Sequence, residues 1–289
     1  RLISACVVLW WFWPAAAAPL FSESFDYTNG PLVNVSSGIW ATHNGTTGQV
    51  EVLSGRVLLA QTNSEDVSAS LGQSYAPTTD IALYASFTIN FTAFPSGNGD
   101  YFAHFKGPGT SGFRDRIYAT TNEVPAGFCR IGVANADTAQ GVLLDSNLSL
   151  NTDYVLITRY VLSNATSTLW LNPSAETDPA VTATDPASAA TETAFALREA
   201  ADIGICYFDN LIIGTNFNDV VPRMPPGIVI PPQDQTVMEG SNVTFTVAAS
   251  GTPPLSYQWQ FDGTNLDGAS TSVLSLPIVT TSQAGDYTV

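Results

Sequence analysis

The chain has 289 residues, of which 45% are hydrophobic and 12% are charged, and this balance excludes an intrinsically disordered chain. Acidic residues outnumber Lys and Arg by 25 to 9, which gives a formal net charge of −16. Binding to nucleic acid requires a basic surface that neutralises phosphates, and an anionic membrane attracts basic surfaces in the same way. We therefore expect neither partner, and the length suits about two globular domains.

The first 18 residues have the layout of a secretory signal peptide. Arg1 supplies a positive charge, residues 2–13 form an apolar run, and residues 14–18 suit cleavage. The apolar run is shorter than the roughly 20 residues of a membrane anchor. We expect residues 1–18 to be removed and the mature chain to be secreted or held at the cell surface, without a membrane span. Because the chain does not begin with Met, we interpret it as a fragment of a larger extracellular protein.

Residues 19–222 alternate short strand patterns with turn clusters. Residues 49–53 and 56–59 flank Ser54-Gly55 and predict a hairpin. The remaining strand patterns lie at 81–91, 101–105, 114–119, 127–133, 154–161, 166–171 and 203–213. Residues 172–193 are rich in Ala, Thr and Pro and predict a long surface loop, and residues 192–201 favour one or two helical turns. Many short strands with Gly, Pro and Asn turns indicate an all-β sandwich or jelly roll.

A second strand pattern follows a change in composition. Residues 223–230 start with a Pro-rich stretch and predict an extended linker. Residues 231–289 then form a second β domain. In this domain Trp259 follows a Pro-Pro turn, and Tyr287 ends the motif Ala-Gly-Asp-Tyr.

Residues 231–289 resemble a bacterial immunoglobulin-like domain of the I-set type. The resemblance implies that Trp259 is the core tryptophan and that Tyr287 forms a tyrosine corner, whose hydroxyl bonds back to the chain. Val247 and Val289 stand where such domains carry the two disulfide cysteines, so aliphatic packing replaces the bridge. The chain stops before the last strand of the family, and we expect a domain truncated at this point.

Five segments support a second resemblance: ESFDYTNG at 23–30, DYFAHF at 100–105, FRDRIY at 113–118, TLWLNP at 168–173 and FDNLIIG at 208–214. Together they resemble a concanavalin A-like or laminin-G-like jelly roll of secreted bacterial proteins. Such modules bind glycans or proteins or act as spacers, and some relatives are glycoside hydrolases. The resemblance also implies a structural Ca²⁺ where the first and last strands meet, with Glu23, Asp26 and Asp209 as ligands; the alternative is that Asp26 and Asp209 serve turns and backbone amides.

No catalytic group emerges from the sequence. Glycosidases need two carboxylates about 5–9.5 Å apart, and hydrolytic relatives carry them in a Glu-x-Asp-x-x-Glu run that this sequence lacks. A Ser/His/Asp triad would have to use His43 or His104, and no serine lies in a nucleophile-elbow motif. We expect a protein that is not an enzyme.

A binding patch is the better candidate. Period-two alternation places Arg114, Arg116 and Tyr118 on one face of their strand, and His104 on the neighbouring strand would extend this patch. A guanidinium fork suits carboxylates or sugar hydroxyls. The alternative is a solvated face with salt bridges to Asp100 or Asp115.

Two further residue types have two interpretations each. Trp40 and Trp170 are candidates for stacking on a sugar ring, or they pack against neighbouring strands. Cys129 and Cys206 remain after removal of the signal peptide, and they form either a disulfide or two buried free thiols.

These features predict a non-catalytic exported module for adhesion or carbohydrate binding, whose partner is a glycan or a cell-surface protein. The alternatives are an accessory region of a secreted glycoside hydrolase and a pure structural spacer. Apart from the structural Ca²⁺, the sequence implies no cofactor.

Overall fold

The computed structural model describes residues 19–78, 80–109, 112–222, 226–250 and 255–289. The predicted signal peptide and residues 223–225 of the predicted linker lie outside this range. The chain divides into two compact units between Val221 and Pro222, one residue before the predicted end of the first domain. In the described part of the chain, no helix is long and apolar enough to cross a membrane.

The first unit is built almost entirely of strands. In chain order they are β1 (Phe21–Glu23), β2 (Gly30–Pro31), β3 (Trp40–Asn44), β4 (Glu51–Leu53), β5 (Arg56–Ala60), β6 (Asp66–Tyr75), β7 (Ala82–Ala93), β8 (Asp100–Lys106), β9 (Phe113–Thr120), β10 (Arg130–Ala134), β11 (Val142–Leu143), β12 (Tyr154–Val161), β13 (Thr166–Leu171), β14 (Ala180–Thr182), β15 (Glu192–Arg198) and β16 (Ile205–Gly214). Two one-turn helices, α1 (Leu32–Val35) and α2 (Phe217–Val220), and a 3₁₀ turn at Thr138–Gln140 complete the unit.

These strands form two antiparallel sheets. Sheet A has the order β14-β13-β12-β7-β16-β5-β4-β2, and β1 pairs with the end of β16. Sheet B has the order β11-β10-β9-β8-β15-β6-β3. The predicted all-β fold class and its jelly-roll arrangement are confirmed.

The core lies between the two sheets and is rich in phenylalanine. Phe87 and Phe208 of sheet A stack with ring centroids 4.7 Å apart. Phe195 of sheet B lies 6.1 Å from Phe87 and 5.3 Å from Phe105, so the rings connect the sheets. Each fully buried ring contributes about 1.5–3 kcal/mol, and the alternation along each strand leaves every second residue on the outer face.

Two predictions about residues 172–201 are wrong. The predicted helical turns at 192–201 are strand β15, because Phe195 and Leu197 alternate into the core and this burial outweighs the helix propensity of the segment. The predicted surface loop contains β14 and a buried anchor. The carboxylate of Asp185 accepts hydrogen bonds from the amides of Asn135, Ala136 and Asp137 at 2.7, 2.8 and 2.9 Å.

The second unit contains shorter strands. They are β17 (Gly227–Ile230), β18 (Val243–Thr246), β19 (Ala248–Ser250), β20 (Gln260–Phe261), β21 (Thr264–Asn265), β22 (Val273–Leu276) and β23 (Tyr287–Thr288), with a 3₁₀ turn at Thr281–Gln283. β17 pairs with β19, β18 pairs with β22, and β20 lies between β21 and β23. The last four residues of the predicted linker are therefore strand β17, because their amides pair with β19.

A single tryptophan organises the core of this unit. Trp259 is fully buried against Val247 and Leu274, and its indole N–H donates to the carbonyl of Thr271 at 2.9 Å. The Tyr287 hydroxyl donates to the carbonyl of Gln283 at 2.9 Å, which is the bond of a tyrosine corner. Val289 packs at the border of the same core.

Candidate ligand-binding face

The outer face of sheet B carries a cluster of cationic and aromatic side chains. Phe105, Ile117 and Leu197 point into the core, so alternation places their strand neighbours on the opposite face. These neighbours are His104, Arg116 and Arg198, and ring and cation–π contacts join three further side chains to them. We call the six side chains the outer cluster: His43, Tyr101, His104, Phe113, Arg116 and Arg198.

Tyr101 is the centre of the outer cluster. The guanidinium carbon of Arg198 lies 4.2 Å from its ring centroid, and that of Arg116 lies 4.7 Å away. Cation–π contacts of this kind are worth about 0.5–2 kcal/mol each. They hold two positive charges side by side on a protein whose net charge is −16.

The two guanidinium groups differ in their partners. Arg198 donates to the carboxylate of Asp100 at 2.7 Å and lies 3.8 Å from that of Asp66. Arg116 is half-buried, and among the described residues no carboxylate lies within ion-pair distance of it. Its Nε is buried without a hydrogen-bond partner. Arg116 therefore offers an uncompensated cationic fork.

His104 lies next to this fork and is fully buried. Its ring is 5.3 Å from Tyr101 and 4.5 Å from Phe113, and neither ring nitrogen has a partner in the described part of the chain. Burial, together with the charges of His43 and Arg116, lowers the pKa of His104 well below its ordinary value. The imidazole is therefore neutral and has one donor and one acceptor.

His43 shows that the outer face is concave. β3 and β9 are four strand positions apart, a separation of about 19 Å in a flat sheet. Nevertheless, the ring of His43 on β3 lies 6.0 Å from that of Phe113 on β9 and 6.5 Å from that of His104. Burial and the charge of Lys106 lower the pKa of His43 to about 4. The local sequence does not mark His43 as a binding residue, because neither β3 nor its neighbour β6 shows a clear strand pattern.

The predicted patch is therefore formed in part. The structure brings His104 and Arg116 together, but Arg114 donates to the carbonyls of Ser188 and Phe113 instead. Of the two expected salt-bridge partners, Asp100 binds Arg198. Asp115 points into the core, where the hydroxyl of Thr158 donates to it at 2.7 Å and burial raises its pKa to about 7.

The two tryptophans do not offer a stacking surface. Trp40 is 1% exposed and packs against Phe21 and Phe25 in the core. Trp170 is 2% exposed and packs against Phe217 of α2. Both tryptophans therefore pack against neighbouring elements, which is the alternative interpretation, because each indole lies on a covered side of its strand.

The donors of the predicted Ca²⁺ site do not fit that ion in this structure. β1 and β16 meet as the resemblance implies, with Glu23 opposite Leu211. However, the Glu23 carboxylate accepts from the Phe25 amide and the Tyr27 hydroxyl, and Asp209 pairs with Arg56 at 3.3 Å. Asp26 accepts from Ser24. Among the residues described, no group of three or more His, Cys, Asp or Glu side chains gathers.

Cys129 and Cys206 are both free and buried, which corresponds to the second of the two interpretations. Burial raises the pKa of the Cys129 thiol to about 12 and that of Cys206 still further. Thiols that remain protonated in the core do not undergo disulfide exchange, since the thiolate is the reactive form.

The two units differ in the known proteins that they resemble. Residues 225–289 match the family model described as immunoglobulin domain. Kin of IRRE-like protein 1 from Homo sapiens is 34% identical over 84 residues, which are 29% of this chain and 11% of that protein. The chain thus spans about a tenth of the length of this curated relative.

The chain is also similar to solved lectin-like and carbohydrate-binding structures. The carbohydrate recognition domain of Emp47p is 12% identical, with 68% of this chain and 97% of that chain covered and a TM-score of 0.39. The CBM2 module of the evolved Dit of Lactobacillus casei BL23 phage J-1 is 11% identical, with 69% and 96% covered and a TM-score of 0.42. Alginate lyase Aly36B, solved with an alginate tetrasaccharide, is 13% identical, with 69% and 98% covered and a TM-score of 0.43.

Proposed function

We propose that the first unit is a non-catalytic glycan-binding module of an exported multidomain protein, and that the outer cluster is its binding face. The observation that carries this proposal is a set of polar atoms on a concave face that have no partner among the described residues: both ring nitrogens of His104 and of His43, and Nε of Arg116. Buried polar atoms without partners cost about 1–3 kcal/mol each. A ligand rich in hydroxyls would satisfy them.

The geometry suits a sugar better than an apolar ligand. Neutral imidazoles donate and accept one hydrogen bond each, and guanidinium groups only donate, so together they match the mixed donors and acceptors of a saccharide. Phe113 covers His104 from 4.5 Å and is itself half-buried. The ligand therefore reaches His104 when the Phe113 ring rotates aside. Arg116 is half-buried and its Nε is buried, so the ligand reaches that atom only after a similar side-chain movement.

The test is a glycan array probed with the chain lacking residues 1–18, followed by calorimetric titration of any hit with the variant His104→Leu. Leucine retains the volume of the side chain and removes both unpartnered nitrogens. We expect an affinity at least tenfold lower together with an unchanged or higher melting temperature. Arg130→Gln, on the same sheet but outside the outer cluster, serves as the matched control and should bind like the wild type.

Two results would contradict the proposal. Equal binding by His104→Leu and wild type would place the glycan elsewhere on the protein. Silence across the array would leave the spacer role, one of the alternatives that the sequence suggests.

A further inference from the structure

The outer cluster contains one guanidinium group that forms no ion pair among the described residues. Arg198 is compensated by Asp100 and Asp66, whereas Arg116 has no ionic partner among the described residues. Lys106 lies close enough to lower the pKa of His43. An uncompensated guanidinium beside neutral imidazoles attracts an anionic group and disfavours a metal cation.

The planar geometry of the Arg116 guanidinium favours a planar anion. The Arg116 guanidinium lies over the ring of Tyr101, which fixes its plane. Nε and one Nη of a guanidinium form a fork that matches the two oxygens of a carboxylate. Nε of Arg116 is buried and has no partner among the described residues, so half of this fork is unused in the free protein.

His104 selects for a second chemical group of the ligand, next to the carboxylate that Arg116 would bind. Its ring lies 5.3 Å from the same Tyr101 ring that carries Arg116. A neutral imidazole with both nitrogens unpartnered complements a hydroxyl, which donates to one nitrogen or accepts from the other. The neighbouring pair thus matches a ligand in which a carboxylate and a hydroxyl lie on one ring.

We propose that the outer cluster binds a uronic acid residue of an acidic polysaccharide, with the carboxylate at Arg116 and a ring hydroxyl at His104. This inference rests on the proposed glycan-binding function and narrows its ligand class. Adsorption of a polyanion through general charge attraction is excluded, because the protein itself carries a net charge of −16. Recognition must therefore be local, at the uncompensated fork.

The experiment uses calorimetric titration of the chain lacking residues 1–18. The probes are tetramers of galacturonate, glucuronate and mannuronate, each as the free acid and as the methyl ester, together with a sulfated neutral tetramer and an unmodified neutral tetramer. We expect at least one free acid to bind at least tenfold more tightly than its ester. We expect Arg116→Gln to bind acid and ester alike, because the fork is gone, and Arg130→Gln to retain the wild-type preference.

The possible results separate the proposal of uronic acid binding from the more general proposal of glycan binding. Equal wild-type affinities for an acid and its ester, or equal binding of the sulfated tetramer, would overturn carboxylate recognition. If a neutral glycan binds and this binding depends on His104, the proposed function stands while the inference fails. If the wild type binds no glycan at all, the proposed function fails as well.

Discussion

The cores of the two units differ in size and in the kinds of side chain that they bury. The first unit packs many aromatic rings between two long sheets and also buries ionisable groups such as Asp115, Glu192 and Glu199. The second unit centres on Trp259, with Val247 and Leu274 as the other buried members of its core. Burying an ionisable group without full partners costs several kcal/mol. A large core tolerates this cost, while a small core does not.

This difference explains where a binding face can develop. The unpartnered nitrogens of His104 and the uncompensated Arg116 reduce the stability of the first unit, and its Phe-rich core offsets them. In the second unit the prominent polar groups are satisfied, as in the bonds of Trp259 and Tyr287 to backbone carbonyls. The larger core of the first unit therefore compensates for the cost of a binding site. In the second unit the polar groups stabilise the fold itself.

The largest expected effect is the loss of the second core. Trp259→Ala removes the only fully buried aromatic ring of its described cluster, which costs about 3–5 kcal/mol. Calorimetry of the full chain should show the transition of the second unit lowered by more than about 10 °C, since 1 kcal/mol shifts a domain of this size by about 4–8 °C, while that of the first unit stays in place. Trp170→Ala is the control and should affect the first unit alone. An unmoved second transition would mean that this core has been misplaced.

The next effect tests the cost of buried carboxyls in the first unit. Both oxygens of Glu192 are buried, and no described residue forms a hydrogen bond with them. Burial raises the pKa of Glu192 to about 8, opposed by the charges of Arg114 and Lys106 and reinforced by that of Asp115. A raised folded-state pKa gives stability that is complete below the unfolded value of 4.5 and is lost as the pH rises through about 8. Glu192→Gln does not titrate. Its advantage over the wild type should therefore grow by about 3–4 kcal/mol between pH 5 and pH 8, measured by chemical denaturation.

Glu65→Gln is the contrasting variant for this measurement. The carboxylate of Glu65 accepts hydrogen bonds from the amides of Gln49 and Val50 at 2.7 and 2.8 Å. Both amides donate to Oε2, and Oε1 accepts from the Thr42 hydroxyl. An amide side chain replaces one of these two oxygens with a donor, so the variant should be less stable at both pH values. If Glu65→Gln and Glu192→Gln change the free energy of unfolding alike at both pH values, the distinction between partnered and unpartnered carboxyls is wrong.

A smaller effect concerns the seam of β1 and β16, where the sequence predicts Ca²⁺. Asp209 pairs with Arg56, whose guanidinium also reaches Asp153 at 2.9 Å. Asp209→Asn should cost at most about 1 kcal/mol, as partly exposed ion pairs do. The melting temperature should not depend on millimolar Ca²⁺ or chelator in either protein. A Ca²⁺-dependent rise that Asp209→Asn abolishes would restore the predicted ion.

The smallest expected effect is that of reductant. Because Cys129 and Cys206 are free and buried, dithiothreitol should leave the melting temperature of the first unit unchanged. Iodoacetamide should modify the peptides containing these residues only after denaturation, as detected by mass spectrometry. Modification that requires both denaturant and reductant would reveal a disulfide.

Local patterns explain what could be predicted. Alternation along 114–119 places Arg116 and Tyr118 on one face because the side-chain period of a strand is a local property. The motif around Tyr287 and the position of Trp259 likewise depend on short stretches of sequence. Failures occurred where packing decided between two local options, as in β15, whose residues favour a helix until Phe195 and Leu197 are buried.

The sequence by itself determined the all-β class and the two-part organisation, since these follow from composition, turns and periodicity. Only the tertiary structure decided that His43 contacts His104 across the concave sheet, that Arg116 lacks an ionic partner among the described residues, and that Asp209 pairs with Arg56. The physical reason is that strand order joins residues far apart in the chain. Exposure and pairing depend on those distant neighbours, which no local pattern encodes.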